Sequence, residues 1–310
     1  MKTAGCVFPC GFTKQQVMPA SIFAEDVIFY KGTYYVLNTN RFPYALDKTK
    51  NENCFILTLF AIAKEIRSRY EADGGSWKDF KGFVGKDIVL AAGLPPAHFE
   101  KQQKTFRKYF EDHALHGVDF SYNGKPFSFH IKDVRLYPQD YAAAIIFKQD
   151  IITQYPSVYC IDIGDGTVDL LGLRDGIPDK NVMVSRELGI ARLREKIIDD
   201  VINDYAFTLD GRIIEDVLTP GRSTVLDFEI TEKIRKETAE WATQILNQLY
   251  TKVPDFRIAP TIFSGGGSIL LKPYILNSGA FGKVEFIEQI NANAVGYEEI
   301  AKIEYGGGGE

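Results

Sequence analysis

Apolar and polar positions along the chain alternate between a period of two and a period near three and a half, and each change of period predicts a new element. Asp26–Asn38 (DVIFYKGTYYVLN) reads as two short strands folded on Lys31-Gly32. Within residues 51–72, Phe55, Leu59, Ile62, Ala63 and Ile66 recur at the spacing of a mostly buried helix. KDIVLAAGLP (86–95) is strand-like, and Pro96 is placed to open a helix over 97–113. VDFSYNGKPFSFHIKDVRLYP (118–138) predicts a hairpin turned on Asn123-Gly124. PQDYAAAIIFKQDIITQY (138–155) reads as one helix with a small-residue face at Ala142–Ala144.

The second half repeats that organisation. A strand pair over 158–173 precedes NVMVSRELGIARLREKIIDDVINDY (181–205), a strand running into a helix. Residues 227–250 place Ile230, Ile234, Trp241, Ile245 and Leu249 on one helical face. The strand in RIAPTIFSGGG (257–267) ends on three glycines. The break between the halves falls near Ser157, and each half combines hairpin strands with helices, as in a duplicated α/β unit with a cleft.

At 310 residues the chain has room for about two domains, and 45% hydrophobic with 25% charged residues is an ordinary globular balance. A net charge of −5 argues against a DNA-coating surface, so no direct nucleic-acid contact is expected. The four cysteines, Cys6, Cys10, Cys54 and Cys160, lack metal-type spacing and read as reduced. No signal peptide is visible, and no apolar run reaches the roughly 18–20 residues that cross a bilayer. The expectation is a cytoplasmic protein without a membrane partner. The Gly306–Gly309 run reads as a frayed tail.

Candidate chemistry sits at two glycine turns. In YCIDIGDGTVDLLGL (159–173), Gly164 and Gly166 allow backbone N–H groups to converge on one spot, which suits phosphate oxygens. Asp162 and Asp165 would repel a phosphate unless a cation sits between, and magnesium suits a few carboxylates plus waters and phosphates. Thr167 and Asp169 would complete the hydrogen bonding; a plain polar β-turn explains the same residues equally well. In PTIFSGGGSILLKPYI (260–275), Gly265, Gly266 and Gly267 stand where a strand meets a helix, a turn that admits a flat ligand close to the backbone. The histidines His98, His113, His116 and His130 form no metal-spaced motif.

The two turns, in this order and roughly 100 residues apart, resemble the phosphate hairpin D-x-G-x-G-T and the later strand–Gly-Gly–helix adenosine motif of the actin, Hsp70 and sugar-kinase superfamily. Within it the chain looks most like the ParM/StbA-type actin-like proteins, on DKTKNENCFILTLFAIAKEI, AAGLPPAHFEKQQKTFRKYF, SRELGIARL and NANAVGYEEI. The resemblance runs from about Val7 to Ile300. It implies an actin-like (RNase H-like) α/β fold of two domains around a nucleotide cleft, domain I over 1–156 completed by 284–310 and domain II over 157–283. Asp162 and Gly265–Gly267 are then expected to face each other across that cleft.

The same resemblance implies a filament-forming cytoskeletal protein for plasmid partition, which binds ATP or GTP with Mg2+, assembles with itself and takes a DNA-binding adaptor on the plasmid. Asp162 would hold the metal and its water, Gly164, Asp165, Gly166 and Thr167 would contact phosphate, and Gly265, Gly266 and Gly267 would lie against purine and ribose. Gln139 aligns with the residue that orients the attacking water, while a helix-start glutamine is its plain reading. Glu232 and Lys233 either touch the base or belong to a solvated helix face. Ala294 and Gly296 fit a close helix crossing or ordinary packing.

The family opens with a hairpin of the form D-x-G-x-x-x-x-K that clamps the other side of the phosphates, whereas this chain begins MKTAGCVFPCGFTK. Hydrolysis is therefore left as an open expectation. The alternative is a non-polymerising or degenerate nucleotide-binding member of the superfamily. A sugar-kinase-like enzyme would need a catalytic aspartate in the first domain, and none stands out.

Overall fold

The computed structural model describes residues 1–19, 26–39, 42, 43, 45, 47–222 and 224–306; the glycine tail beyond Gly306 lies outside them. The chain divides into two compact units. One comprises Met1–Leu94, Glu100–Tyr137 and the chain from Tyr297 onward, the other Pro95–Phe99 and Pro138–Gly296.

The first unit is built on β1 (Phe12–Gln15), β2 (Val27–Tyr30), β3 (Thr33–Leu37), β4 (Phe83–Leu94), β5 (Val118–Tyr122) and β6 (Lys125–Pro138). These form one sheet in the order β1-β3-β2-β5-β6-β4. Both predicted hairpins are present. Lys31 and Gly32 take φ of 47° and 78°, and Asn123 and Gly124 take 49° and 74°, the left-handed pair that a two-residue turn between twisted strands requires. The helix α1 (Asn53–Ala72) buries Phe55, Ile56, Leu57, Leu59 and Phe60, so its first half is covered all round rather than on one stripe. Pro96 opens α2 (Pro96–Ala114), and Tyr109 on it ties the start of α1, accepting the Phe55 N–H at 2.9 Å and donating to the Asn51 carbonyl at 2.9 Å.

The second unit begins with α3 (Tyr141–Phe147) and α4 (Gln149–Gln154). One continuous helix was expected here; Lys148, at φ −137°, breaks it, and its ammonium pairs with Glu285 at 3.0 Å. The sheet comprises β7 (Ser157–Ile163), β8 (Val168–Arg174), β9 (Ile177–Arg186), β10 (Thr261–Ser264) and β11 (Val284–Phe286), in the order β11-β10-β7-β8-β9. The strands β11, β10 and β7 run parallel, and β7-β8-β9 is an antiparallel meander. The turn into β9, on Asp175-Gly176 with φ of 50° and 76°, was not read from the pattern.

The helices of this unit are α5 (Ile190–Tyr205), α6 (Gly211–Leu218), α7 (Phe228–Leu249), α8 (Gly266–Leu270), α9 (Lys272–Asn277) and α10 (Ala292–Gly306), the last running on into the first unit. Alternation along the central strands divides the core in two. Ile161, Ile163, Val168 and Leu170 pack with Ile190, Leu193, Ile234, Trp241 and Ile245 of α5 and α7. Val158, Cys160, Leu171, Leu173 and Ile262 pack with Ala143, Ile151 and Ile152 of α3 and α4. A sheet covered on both faces explains why β7 and β8 read as near-continuous apolar runs. Among the described residues no helix is long and apolar enough to cross a membrane.

Candidate functional site

The period of two along β7 decides where its carboxylate points. Val158 and Cys160 belong to the α3–α4 face, so Asp162, two residues on, is on that same face at the strand tip, 8% exposed. Asp169 stands directly opposite on β8 and is also buried. Two carboxylates facing each other across neighbouring strands repel. Asp169 is held by hydroxyls: Thr167 Oγ1 donates to its Oδ2 at 2.8 Å and Ser185 Oγ donates to its Oδ1.

The turn between these strands is fastened to α5. The Gly189, Ile190 and Ala191 N–H groups donate to the carbonyls of Gly166, Gly164 and Asp165 at 3.3, 3.1 and 2.9 Å. In a planar trans peptide the C=O and N–H point opposite ways, and no peptide here is cis. The N–H groups of Asp165, Gly166 and Thr167 therefore all point away from α5, three consecutive donors on one side of the loop, an arrangement that receives anions. The Asp165 carboxylate does not stand among them: it pairs with Arg194 of α5 at 2.5 Å, and Arg194 also holds Glu215.

The strand β10 lies beside β7 with Ser264 opposite Asp162, which brings the glycine run to the same sheet edge. The expectation that Asp162 and Gly265–Gly267 face each other across a cleft is thereby corrected: they sit side by side, because β7 and β10 are hydrogen-bonded neighbours. The three glycines differ. Gly265 has φ +85°, and a Cβ there would run into Asp162 Oδ1 and the Ile163 carbonyl. A Cβ on Gly267 would lie 2.6 Å from Ile163 Cγ2 and 2.7 Å from Ile190 Cγ1. Gly266 alone of the three faces open space. Two of these glycines are thus required by the protein's own packing, and one leaves room for something flat to approach.

Two residues not singled out from the sequence complete the tip. Asp140 precedes α3 with φ +67°, 1% exposed. Its N–H donates to Asn293 Oδ1 at 2.8 Å, and Asn293 Nδ2 donates to Asp162 Oδ2 at 2.6 Å. One amide therefore spans the two aspartates. Burial, then the charges of Asp162 and Asp169, push the Asp140 carboxyl well above the usual carboxylate range. The Asp162 and Asn293 side chains lie close enough to act on it, but neither of its buried oxygens has a hydrogen bond of good geometry. Burial and the Asp140 charge likewise push up the Cys160 thiol, leaving it an inert core residue. Gln139, half-buried, contributes its carbonyl to the Tyr141 N–H at 2.8 Å. The sequence signal that stood for Asp140 was the Pro-Gln-Asp start of a helix, which reads as an ordinary N-cap; Asn293 lies in the NANAVGYEEI segment, with no feature of its own to single it out.

Glu232 and Lys233 part company. Lys233 turns to α5 and pairs with Asp204 at 2.7 Å. Glu232 pairs with Arg235 at 2.7 Å, and the charges of both act on Tyr274 of α9, the helix that follows α8. Arg235 and Tyr274 line a cleft of about 250 Å³ with Val217, Arg222 and Pro273.

Gly296 explains a close approach within this unit, since a Cβ there would sit 2.6 Å from the Ala142 backbone. Among the described residues no three His, Cys, Asp or Glu side chains are grouped to hold a metal ion by themselves. The hard carboxylate oxygens of Asp162 and Asp140 suit Mg2+ where phosphate and water supply the remaining positions, and the unbonded buried oxygens of Asp140 fit that donor set.

No family model matches the chain, and no curated protein sequence is similar to it. Solved structures do resemble it. The archaeal actin homolog Ta0583 superposes with a TM-score of 0.72 at 19% identity, over 96% of this chain and 92% of that one. The ADP complex of Ta0583 gives a TM-score of 0.66 at 19% identity, over 89% of each chain. A 15-stranded ParM filament from Clostridium botulinum gives 0.70 at 16% identity, over 96% of this chain and 93% of that one. The chain has the actin fold.

Proposed function

We propose that this chain is a nucleotide-dependent, filament-forming protein of the ParM type, which binds ATP or GTP with Mg2+ at the β7 tip of its second unit. The observation that carries this reading is the parallel pairing of Ser264 with Asp162. It sets an anion-receiving turn, a carboxylate and an open glycine within one nucleotide length of each other. Support comes also from Ta0583, an actin homolog solved with ADP, and from the ParM filament of C. botulinum.

The work of each group follows from its position. The N–H groups of Asp165, Gly166 and Thr167 bind phosphate oxygens. Asp162 would hold Mg2+, which when bound would neutralise phosphate charge. Gly266 lets ribose or purine lie against the backbone, and the Arg235–Tyr274 cleft receives the base edge. Gln139 orients the water for hydrolysis. Self-assembly, with a DNA-binding adaptor carrying the plasmid, is the partner set in this reading.

Light scattering and sedimentation test it. Mg-ATP or Mg-GTP should raise scattering and send the chain to the pellet, with EDTA reversing both. A chain that binds nucleotide but stays monomeric at every concentration would belong to the non-polymerising members of the fold instead.

A further inference from the structure

We propose that Asp140 is a second carboxylate ligand, beside Asp162, for the divalent cation that accompanies the nucleotide. The inference rests on reading the β7 tip as a Mg-nucleotide site.

Three observations combine. Asp140 is 1% exposed, and neither carboxyl oxygen has a hydrogen bond of good geometry. An aspartate buried in that state is costly unless something positive or a proton joins it. Its backbone adopts φ +67°, a conformation that glycine takes freely and other residues take at a cost. A strained position filled by a buried acid is poor design for stability alone. Third, Asn293 fixes its distance to Asp162, accepting from one backbone and donating to the other carboxylate. With its amide oxygen engaged by the Asp140 N–H and its amide nitrogen by Asp162 Oδ2, Asn293 holds the two acids as a preset pair. Hydroxyl donors hold Asp169, so its position is set within the sheet rather than by a cation. Two carboxylates and a set of phosphate oxygens and waters make the coordination that Mg2+ prefers.

The test uses the full chain and two variants, Asp140→Asn and Asp140→Gly, the second of which relieves the positive φ and guards against a folding failure. Mn2+, titrated with ADP and with GDP, is followed by its electron paramagnetic resonance signal, and metal-free melting is recorded in EDTA. Both variants should bind Mn2+ at least about 10- to 100-fold more weakly, the loss that removing even an outer partner of a metal ligand usually brings. Both should melt in EDTA no lower than wild type, since a buried acid beside Asp162 has gone. Variants that bind Mn2+ as wild type does, while wild type itself binds the Mn-nucleotide, would overturn the role of Asp140 and leave the site reading intact. A variant that melts lower in EDTA with unchanged Mn2+ affinity would make Asp140 a structural residue and overturn the proposal. If wild type binds no Mn2+ with either nucleotide, the site reading and this inference fall together.

Discussion

Asn293 Nδ2 donates to Asp162 Oδ2 at 2.6 Å, joining residues 131 positions apart. The bond ties the first turn of α10 to the tip of β7, and it points the Asp162 carboxylate. Replacing Asn293 with Ala removes the amide that two partly buried groups, Asp162 Oδ2 and the Asp140 N–H, bond to. The expected loss is about 2–3 kcal/mol. Urea denaturation followed by Trp241 fluorescence in a Trp77→Phe background reports the second unit; an unchanged midpoint would show that the bond does not organise the tip.

The glycine run gives a contrast between neighbours. Gly265→Ala combines a positive φ with a clash against Asp162 and the Ile163 carbonyl, and should destabilise by about 2–4 kcal/mol. Gly266→Ala meets open space and should fold with wild-type stability, yet bind nucleotide more weakly because the methyl occupies the approach. Thermal melts and nucleotide titrations of the two variants separate these effects. Equal behaviour in both assays would contradict the division of roles.

Arg235 and Lys233 provide a second contrast on one helix. Arg235 lines the cleft with Tyr274, whereas Lys233 is engaged by Asp204 on α5. Arg235→Ala should weaken nucleotide binding several-fold, consistent with about 1 kcal/mol for one charge-assisted or stacking contact. Lys233→Ala should change binding little and stability by under about 1 kcal/mol, as for an exposed ion pair. A larger binding loss from Lys233→Ala would return that lysine to the base.

How much of this was legible in the sequence depends on the range of the signal. The hairpin turns at Lys31-Gly32 and Asn123-Gly124 were readable because left-handed turns restrict residue choice locally. The apolar face of α7 was readable because Ile230, Ile234, Trp241, Ile245 and Leu249 meet one sheet face, and all five are buried. The actin-like fold was legible in the order of its two glycine turns. The placement of those turns relative to each other was not, since parallel pairing of β7 with β10 is a choice made over 100 intervening residues. Asp140 was hidden by helix-start grammar, in which an acid after Pro-Gln is unremarkable, and Asn293 by a bond whose partner is remote in sequence. The break at Lys148 was masked by an unbroken run of helix-compatible residues on both sides.

The central claim is that nucleotide enters at Asp162. Isothermal titration of Mg-ATP and of Mg-GTP into the wild-type chain and into Asp162→Ala addresses it directly. A strand-tip carboxylate makes few apolar contacts, so the variant should stay folded by circular dichroism while losing a group that holds the cation on the phosphates. The expected result is saturable, Mg2+-dependent binding of at least one nucleotide to wild type, abolished by EDTA and lost in Asp162→Ala. Equal binding of the Mg-nucleotide by a folded Asp162→Ala, or no binding by wild type, would contradict the account.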